Sequence, residues 1–396
     1  MNNGIKRFTA ILLCAVAAFA CPSLARKCNF GSPMLYGAVL SLAVVGISSL
    51  FWVLDVKTQM KCGKGAKSKS RSNFDWGMHY FRAFAILTIL ACHYVAWHGY
   101  NEIDIVFFNT STIYFLFISG YLCQYIDKKR RESPVAYYRK KLQNVIVPFI
   151  VFSMFFAVMK GVFRFDIEFG KFLLLGRVQG QYWYIPFISS MFVVSPFICR
   201  MKDRHLGLLT IISFTLFLIF PVRPGEFTIQ WPEVFYFYTY FSGFYFLGFV
   251  YCRFKEQVDE YLHKYWYWIL ILSLGLYAFI HNQSFLGLSA VSRSILVPLQ
   301  RMSVLCLMLV LLSKVRNKRM WIFDQIAQFS FTLYFIHFAL YINFAFVRTS
   351  FLGCFAFLPT ILAEILMYFL YLVIMLVVSI IVKAALGSRS RMFIGA

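Results

Sequence analysis

The sequence predicts an all-α protein, a polytopic bundle of membrane helices. Of its 396 residues, 60% are hydrophobic and only 14% are charged, whereas soluble domains are nearer to a quarter charged. Apolar runs of about 20 residues, the length that crosses a bilayer, recur along the chain. The runs do not alternate polar and apolar residues, which favours helices over the strands of a barrel.

The predicted helices form a core of ten, preceded by one or two extra helices. Residues 6–25 have a basic start, an apolar centre and a small-residue end, typical of a signal peptide or a short first helix. We predict an N-terminal extension over 1–72, a ten-helix domain over 73–385 and a short tail over 386–396. The twelve candidate helices lie near 8–25, 34–54, 77–97, 105–126, 143–163, 182–199, 206–221, 233–252, 265–282, 294–313, 327–347 and 355–382.

The net charge of +23 follows the predicted topology. About 28 of the 39 Lys and Arg residues lie on alternate connections, all on one side of the bundle. This bias predicts a multi-pass protein of the inner (plasma) membrane with the termini of its core domain in the cytoplasm. The basic patches suit anionic lipid headgroups, so we expect membrane lipids and no nucleic acid as partners.

The ten cysteines form no C-x-x-C pair and show no metal-ligand spacing. Most lie inside predicted helices, where a thiol packs as a small apolar side chain. We therefore expect no metal and no permanently bound cofactor.

The stretch "YFRAFAILTILACHYVAWHG" (80–99) places two ionisable residues inside a membrane helix. Arg82 and His93 share one face and stand about 16 Å apart along the axis. The charge bias places Arg82 near the cytoplasmic end and His93 deeper. Arg82 alone could reach the headgroups, and His93 alone could bond to a neighbouring helix. Together they indicate a site or a pathway, because ionisable groups inside a membrane are costly.

The motif "RAFAILTILACH", an arginine, ten residues and a histidine, is followed by five further landmarks. In their order along the chain they resemble acyltransferase family 3, a family of integral-membrane proteins, over about residues 73 to 385. The landmarks are "FFNTSTIYFLFISGYL" (107–122), "YYRKKLQNVIVP" (137–148), "YWYIPFISSMFVVSP" (182–196), "YFSGFYFLGFVY" (240–251) and "SFTLYFIH" (330–337).

The resemblance implies an enzyme that moves an acyl group, usually acetyl, from cytoplasmic acyl-CoA to a hydroxyl of a surface or exported glycan, a lipid or a small molecule. It makes His93 the candidate catalytic residue and matches Arg82 to the arginine of the signature. Where the family often has a second arginine after its basic loop, this chain has Asn144. The basic loop itself matches Arg139, Lys140 and Lys141, which we predict to bind acyl-CoA together with Arg82.

The chemistry fits these residues independently. Transfer from a thioester to a hydroxyl needs a base for the hydroxyl and donors for the developing oxyanion. His93 is the predicted base. His337, on a later helix, is predicted to orient the acceptor or to provide a second proton path, with a packing histidine as the alternative. Guanidinium and ammonium groups suit the phosphates of CoA.

Five more residues are candidate contacts for a glycan or lipid-linked sugar. Arg301 and Glu364 lie in the outer half of their helices and could instead pair with each other. Asp104 could orient His93 or an incoming sugar, or be solvated in a loop. Trp183 and Tyr184 could stack on a sugar, or belong to an aromatic belt at the interface.

A transporter or flippase of a glycan or lipid precursor is the alternative function. Intramembrane arginine, histidine and glutamate also suit a proton-coupled carrier. The sequence shows no inverted repeat and no pair of helices broken by Gly or Pro, the usual features of such carriers. The enzyme is therefore the preferred interpretation.

Overall fold

The structure is a computed structural model that describes residues 75–100, 104–129, 133–164, 166–222, 228–282, 290–343, 345–355, 357–387 and 390–395. Within these ranges the chain forms helices joined by turns, and no strand occurs. The two extra helices predicted near 8–25 and 34–54 lie outside the described residues.

The described helices are numbered in chain order. A π-helical turn (Asp104–Phe108) follows α1, a second one (Leu142–Ile146) joins α3 to α4, and a 3₁₀ turn (Gly180–Trp183) precedes α6. The helices are α1 (Trp76–Trp97), α2 (Thr112–Lys129), α3 (Pro134–Lys141), α4 (Val147–Met159), α5 (Ile167–Leu174), α6 (Tyr184–Arg200), α7 (Asp203–Ile219), α8 (Glu233–Arg253), α9 (Lys255–His281), α10 (Ala290–Ser313), α11 (Trp321–Asn343), α12 (Ala345–Cys354), α13 (Thr360–Leu386) and α14 (Ser390–Ile394).

A helical membrane bundle is confirmed, but ten spans are not. Each of the ten predicted core segments overlaps a helix. Helix α7 has only 17 residues, and α9 begins with several charged residues, so both depart from the apolar span of about 20 residues. Six segments of the described chain are long and apolar enough to cross: Trp76–Trp97, Pro134–Met159, Gly180–Arg200, Ser294–Ser313, Trp321–Ile342 and Leu362–Leu386.

Two predicted boundaries shift for local reasons. The helix predicted over 105–126 is interrupted, because Thr110 has a φ of 65°, a conformation that β-branched residues rarely adopt. The helix predicted over 143–163 begins earlier, at Pro134. The side chain of Ser133 accepts the backbone N–H of Ala136, and Pro at the first helical position suits a helix start. The basic loop motif is therefore helical.

Helices α2 and α8 approach each other closely at two glycines. A Cβ at Gly120 would overlap the carbonyl oxygen of Tyr245, and a Cβ at Gly248 would overlap that of Phe117. Small residues allow such backbone approach in membrane bundles, where van der Waals packing replaces the hydrophobic effect between helices. The contact holds α2 against α8 and sets the position of the wall that α2 gives to the site.

Gly120→Ala is expected to destabilise the bundle by about 1–3 kcal/mol, because its methyl group meets backbone and the two helices must separate. Thermal unfolding of the purified protein in detergent measures the effect. Gly275→Ala is the matched control, since nothing lies within 4 Å of that Cβ position and alanine favours a helix interior. Equal unfolding temperatures for the two variants would contradict the close contact.

Asp75 joins the start of α1 to three other parts of the bundle. Its Oδ1 accepts the backbone N–H of Met78, at 3.2 Å, and so caps the helix. Its Oδ2 accepts the hydroxyl of Tyr121, at 3.0 Å, and contacts the ammonium of Lys255. The guanidinium of Arg316 lies 3.7 Å from the same oxygen. The carboxylate therefore connects α1 to α2, to α9 and to the connection before α11.

Because of this network, the stability of the fold is expected to depend on pH in the acid range. Burial alone would raise the pKa of Asp75, but Lys255, the Met78 N–H and Arg316 outweigh it and hold the pKa below its usual value. A lowered pKa adds stability above the unfolded-state pKa, and that stability is lost as pH falls through the folded-state pKa. The free energy of unfolding should be measured from about pH 6 down to about pH 3, the range in which carboxyl groups titrate. It should fall more steeply for wild type than for Asp75→Asn.

Candidate active site

Two histidines meet in the interior of the bundle, where α1 packs on α11. The ring centroids of His93 and His337 are 5.1 Å apart, with 35° between the ring planes. Phe338 stands edge-on to His93 at 5.7 Å. His93 is half-buried, while His337 is completely buried. Of the two rings, that of His93 is therefore the more accessible.

The surroundings of His337 determine which ring nitrogen carries its proton. Nδ1 lies 3.1 Å from the carbonyl oxygen of Leu333. Because a carbonyl only accepts, Nδ1 carries the hydrogen and Nε2 of the neutral ring is an acceptor. Nε2 is buried and has no hydrogen-bond partner among the described residues. A buried acceptor without a partner costs about 1–3 kcal/mol, which favours a polar ligand or water at this position.

A cavity of about 450 Å³ lies between α1, α2, α3, α6 and α11. Five cationic side chains and one carboxylate, that of Asp127, contribute to its lining. The α6 wall runs from Arg200 to Tyr184, sixteen residues or about 24 Å of helix. The cavity therefore suits an elongated anion. The cationic residues are Arg82, Lys140, Lys141, Arg200 and Arg391.

One end of the cavity, called the deep end below, lies next to the histidine pair, although neither imidazole is part of the lining. Ile89 and Tyr334 are part of its lining. His93 follows Ile89 by four residues, about one helical turn or 6 Å. The ring of Tyr334 lies 6.1 Å from that of His337 and 5.9 Å from that of Tyr184. The cavity thus leads from the cations toward the imidazoles.

Three of the four predicted donor-binding residues line this cavity. They are Arg82, Lys140 and Lys141. The ammonium of Lys141 lies 3.7 Å from the ring centroid of Phe192. Arg139 is exposed and is not part of the lining, because it lies on another face of α3.

A model of the family described as "Acyltransferase domain" matches residues 75–384. The chain belongs to acyltransferase family 3. The match covers almost the whole described chain, and membership indicates a membrane acyltransferase. A search of curated proteins and a search of solved structures each found no significant match.

For this family 3 member, the alternative in which Arg301 pairs with Glu364 is wrong. Glu364 is buried and forms its ion pair with Arg348, through Nη2 to Oε1 and through Nε to Oε2 at 3.2 Å. The hydroxyls of Tyr94 and Tyr100 donate to the same carboxylate, the latter at 3.2 Å. With these donors the Glu364 carboxylate is satisfied within the protein, so a structural role is favoured over substrate contact.

Arg301 belongs instead to a buried group near the outer end of α1. Its Nε donates to the backbone carbonyl of Asn109 at 2.9 Å, and the Asn109 amide donates to Oδ2 of Asp104 at 2.9 Å. Asp104 is 7% exposed, so the solvated-loop alternative is wrong. Its Oδ1 is buried with no hydrogen-bond partner among the described residues. The structure therefore keeps Asp104 and Arg301 as candidate acceptor contacts.

The aromatic residues before α6 lie inside the bundle rather than in an interfacial belt. Trp183 is half-buried and packs on Phe237 and Phe241, with ring centroids 5.4 and 5.1 Å away. Tyr184 is buried and forms part of the cavity wall. Its hydroxyl oxygen lies 3.5 Å from that of Ser119. Tyr184 is therefore placed to contact a molecule bound in the cavity, and Trp183 packs behind this wall.

Three arginines in or near the site escaped the sequence reasoning. Arg200 ends α6 at the cavity, Arg391 lies in the segment predicted to be a tail, and Arg348 pairs with Glu364. A basic residue that ends a helix resembles any other member of the positive-inside bias. For Arg348 and Arg391 no local sequence signal exists, because their roles depend on the packing of distant helices.

Proposed function

We propose that this protein is an O-acyltransferase that moves an acyl group, with acetyl as the first candidate, from cytoplasmic acyl-CoA to a hydroxyl of an exported or surface glycan or a lipid-linked sugar. One observation carries the proposal. An elongated cationic cavity has its deep end one helical turn from a pair of facing histidines.

The cavity suits the shape and charge of CoA. CoA carries its phosphates at the nucleotide end and its thioester at the end of a long, uncharged arm. Arg200 ends α6 at a basic connection, and Lys140 and Lys141 form the basic end of α3, so these residues suit the nucleotide end. Ile89, Tyr184 and Tyr334 line the deep end, which suits the arm. Positive-inside bias supports a cytoplasmic mouth.

The reaction needs one base, and His93 is the reachable imidazole. The hydroxyl oxygen of the acceptor attacks the thioester carbonyl carbon while His93 takes the hydroxyl proton. The tetrahedral oxyanion then collapses, the carbon–sulfur bond breaks, and the imidazolium returns the proton to the CoA thiolate. The acceptor ester and free CoA are the products. His337, whose Nε2 accepts, is placed to hold the acceptor hydroxyl or a water beside His93.

The acceptor approaches from the other end of α1. Trp97, in the last turn of that helix, is 46% exposed, and Asp104 follows it in a π-helical turn. The unpartnered Oδ1 of Asp104 suits a sugar hydroxyl as hydrogen-bond donor. Donor and acceptor would thus meet at His93 from opposite sides.

The proposal is tested by comparing cell-surface glycans of the source organism, with and without the gene, by NMR. We expect the deletion strain to lose one ester signal that the wild-type gene restores. Unchanged esters combined with altered export of a glycan precursor would overturn the proposal in favour of a carrier. Purified protein should also transfer radiolabelled acetyl from acetyl-CoA to the glycan fraction of the deletion strain.

A further inference from the structure

The residues after α13 return to the bundle instead of extending from it. Ser390 and Ile394, at the two ends of α14, are 3% and 5% exposed. The hydroxyl of Thr332, on α11, donates to the carbonyl oxygen of Ile394 at 2.7 Å. Gly395 has a φ of 74° and lies so close to Phe331 that a Cβ would overlap its ring. The segment Ser390–Gly395 is therefore docked at both ends.

One side chain of this segment enters the cavity wall. Arg391 is exposed, and together with Gly395 it contributes to the cavity lining. It lies close enough to Arg82 for the two positive charges to repel each other. Within the described part of the chain, neither guanidinium has a carboxylate at ion-pair distance.

Two neighbouring guanidinium groups without a carboxylate repel each other, and Arg82, which is partly buried, is less screened by solvent than the exposed Arg391. The arrangement becomes favourable when an anion with several oxygens lies between them, because each guanidinium donates in a planar fork that matches a phosphate. Arg82 is eleven residues before His93, about 16 Å along α1. A phosphate held there leaves room for the uncharged arm of a donor to reach the imidazoles.

We propose that the segment Ser390–Gly395 forms part of the donor site and that Arg391, together with Arg82, clamps a phosphate group of the bound ligand. The inference rests on the proposed function for the identity of that ligand, a CoA thioester. The same chemistry could come from a phospholipid headgroup, and the experiment separates these two sources. Arg391 acts in binding and touches no reacting atom.

The test uses the full-length protein in detergent and measures CoA affinity by calorimetry and the kinetics of acetyl transfer. Arg391→Ala should weaken CoA binding and raise KM about tenfold to a hundredfold, the range for one hydrogen-bonded charge contact of about 1.5–3 kcal/mol, with kcat nearly unchanged. Arg391→Lys should recover part of the affinity, because it keeps the charge and loses the fork. Gly395→Ala should also weaken binding, since it displaces the segment while keeping Arg391.

Two controls identify the cause. Met392→Ala truncates the neighbouring exposed side chain, and Arg204→Ala removes an exposed arginine at the start of α7. Neither side chain lines the cavity, so both variants should bind CoA as wild type does. Binding of dephospho-CoA and of inorganic pyrophosphate shows which phosphate Arg391 holds. The effect of Arg391→Ala on affinity disappears with a ligand that lacks that phosphate.

Unchanged CoA affinity in Arg391→Ala, with normal unfolding temperature, would overturn the inference. If CoA affinity is unchanged but less anionic lipid co-purifies with the variant than with wild type, the phosphate belongs to a lipid and the donor-site assignment fails. If Arg391 affects CoA binding but no acyl transfer occurs with any acceptor, the inference stands and the proposed function fails. If Arg391→Ala transfers acetyl with wild-type kinetics, the inference fails and the proposed function stands.

Discussion

His93→Ala is expected to lower acyl transfer by about 10²–10⁴-fold, the usual contribution of a positioned general base. The half-buried imidazole lies one helical turn beyond the cavity lining and 5.1 Å from the ring of His337. Without it, the imidazole that remains near the deep end of the cavity is that of His337, which is completely buried. His337→Ala should cost less, because its ring lies behind His93 and orients rather than attacks.

Initial rates of acetyl transfer at saturating acetyl-CoA measure the loss, and calorimetry with CoA shows that the donor site is intact. His205→Ala is the matched control, because His205 is exposed at the start of α7, where its Nε2 accepts a hydrogen bond from Nε of Arg204. Full transfer by a folded His93→Ala preparation would remove His93 as the base. A fall in CoA affinity equal to the fall in rate would assign His93 to donor binding.

Arg348→Met is expected to destabilise the fold by about 3–5 kcal/mol, the cost of leaving a buried charge without its partner. Glu364 is 1% exposed and keeps only the hydroxyls of Tyr94 and Tyr100 once the guanidinium is gone. Its carboxylate connects α1 to α13, so losing the ion pair weakens the position of α1 as well. The effect exceeds that of any exposed ion pair.

Thermal unfolding in detergent measures the destabilisation, and the double variant Arg348→Met with Glu364→Leu measures the coupling. We expect the double variant to regain much of the lost stability, because replacing a buried pair by apolar residues is often neutral. Lys171→Met is the control, since Lys171 and Glu168 form a pair with side chains 63% and 80% exposed and should contribute less than about 1 kcal/mol. If Glu364 instead binds the acceptor, Glu364→Gln will raise the acceptor KM without changing stability.

Much of the site followed from short-range rules. The common face of Arg82 and His93 depends only on the 3.6 residues per helical turn. The structure places Arg82 and Ile89 in the cavity wall, and His93 lies one turn beyond Ile89. The contact at Gly120 has a similar local origin, because a small residue in a membrane helix permits close approach. Family membership, predicted from six ordered motifs, is confirmed over residues 75–384.

The predictions that depended on contacts between residues far apart in the sequence were less successful. A pair between Glu364 and Arg301 was one alternative, because both lie in the outer half of their helices, yet Arg348 forms the ion pair with Glu364 across the turn between α12 and α13. Tyr184 was placed among acceptor contacts because it begins a helix, yet α6 turns that residue toward the cavity. The count of ten spans also exceeds the six helices that meet the criteria of length and composition in the described chain.

Composition, charge bias and helical period were sufficient to predict a membrane helix bundle and the axis from Arg82 to His93, and six ordered motifs identified the family. These properties depend on residues close together in the chain, so local sequence contains them. The tertiary structure alone decided that His337 faces His93, that Arg348 neutralises Glu364 and that the segment Ser390–Gly395 brings Arg391 to the cavity. Such contacts depend on how helices far apart in sequence rotate and cross to fill space, and no periodicity along one helix specifies that arrangement.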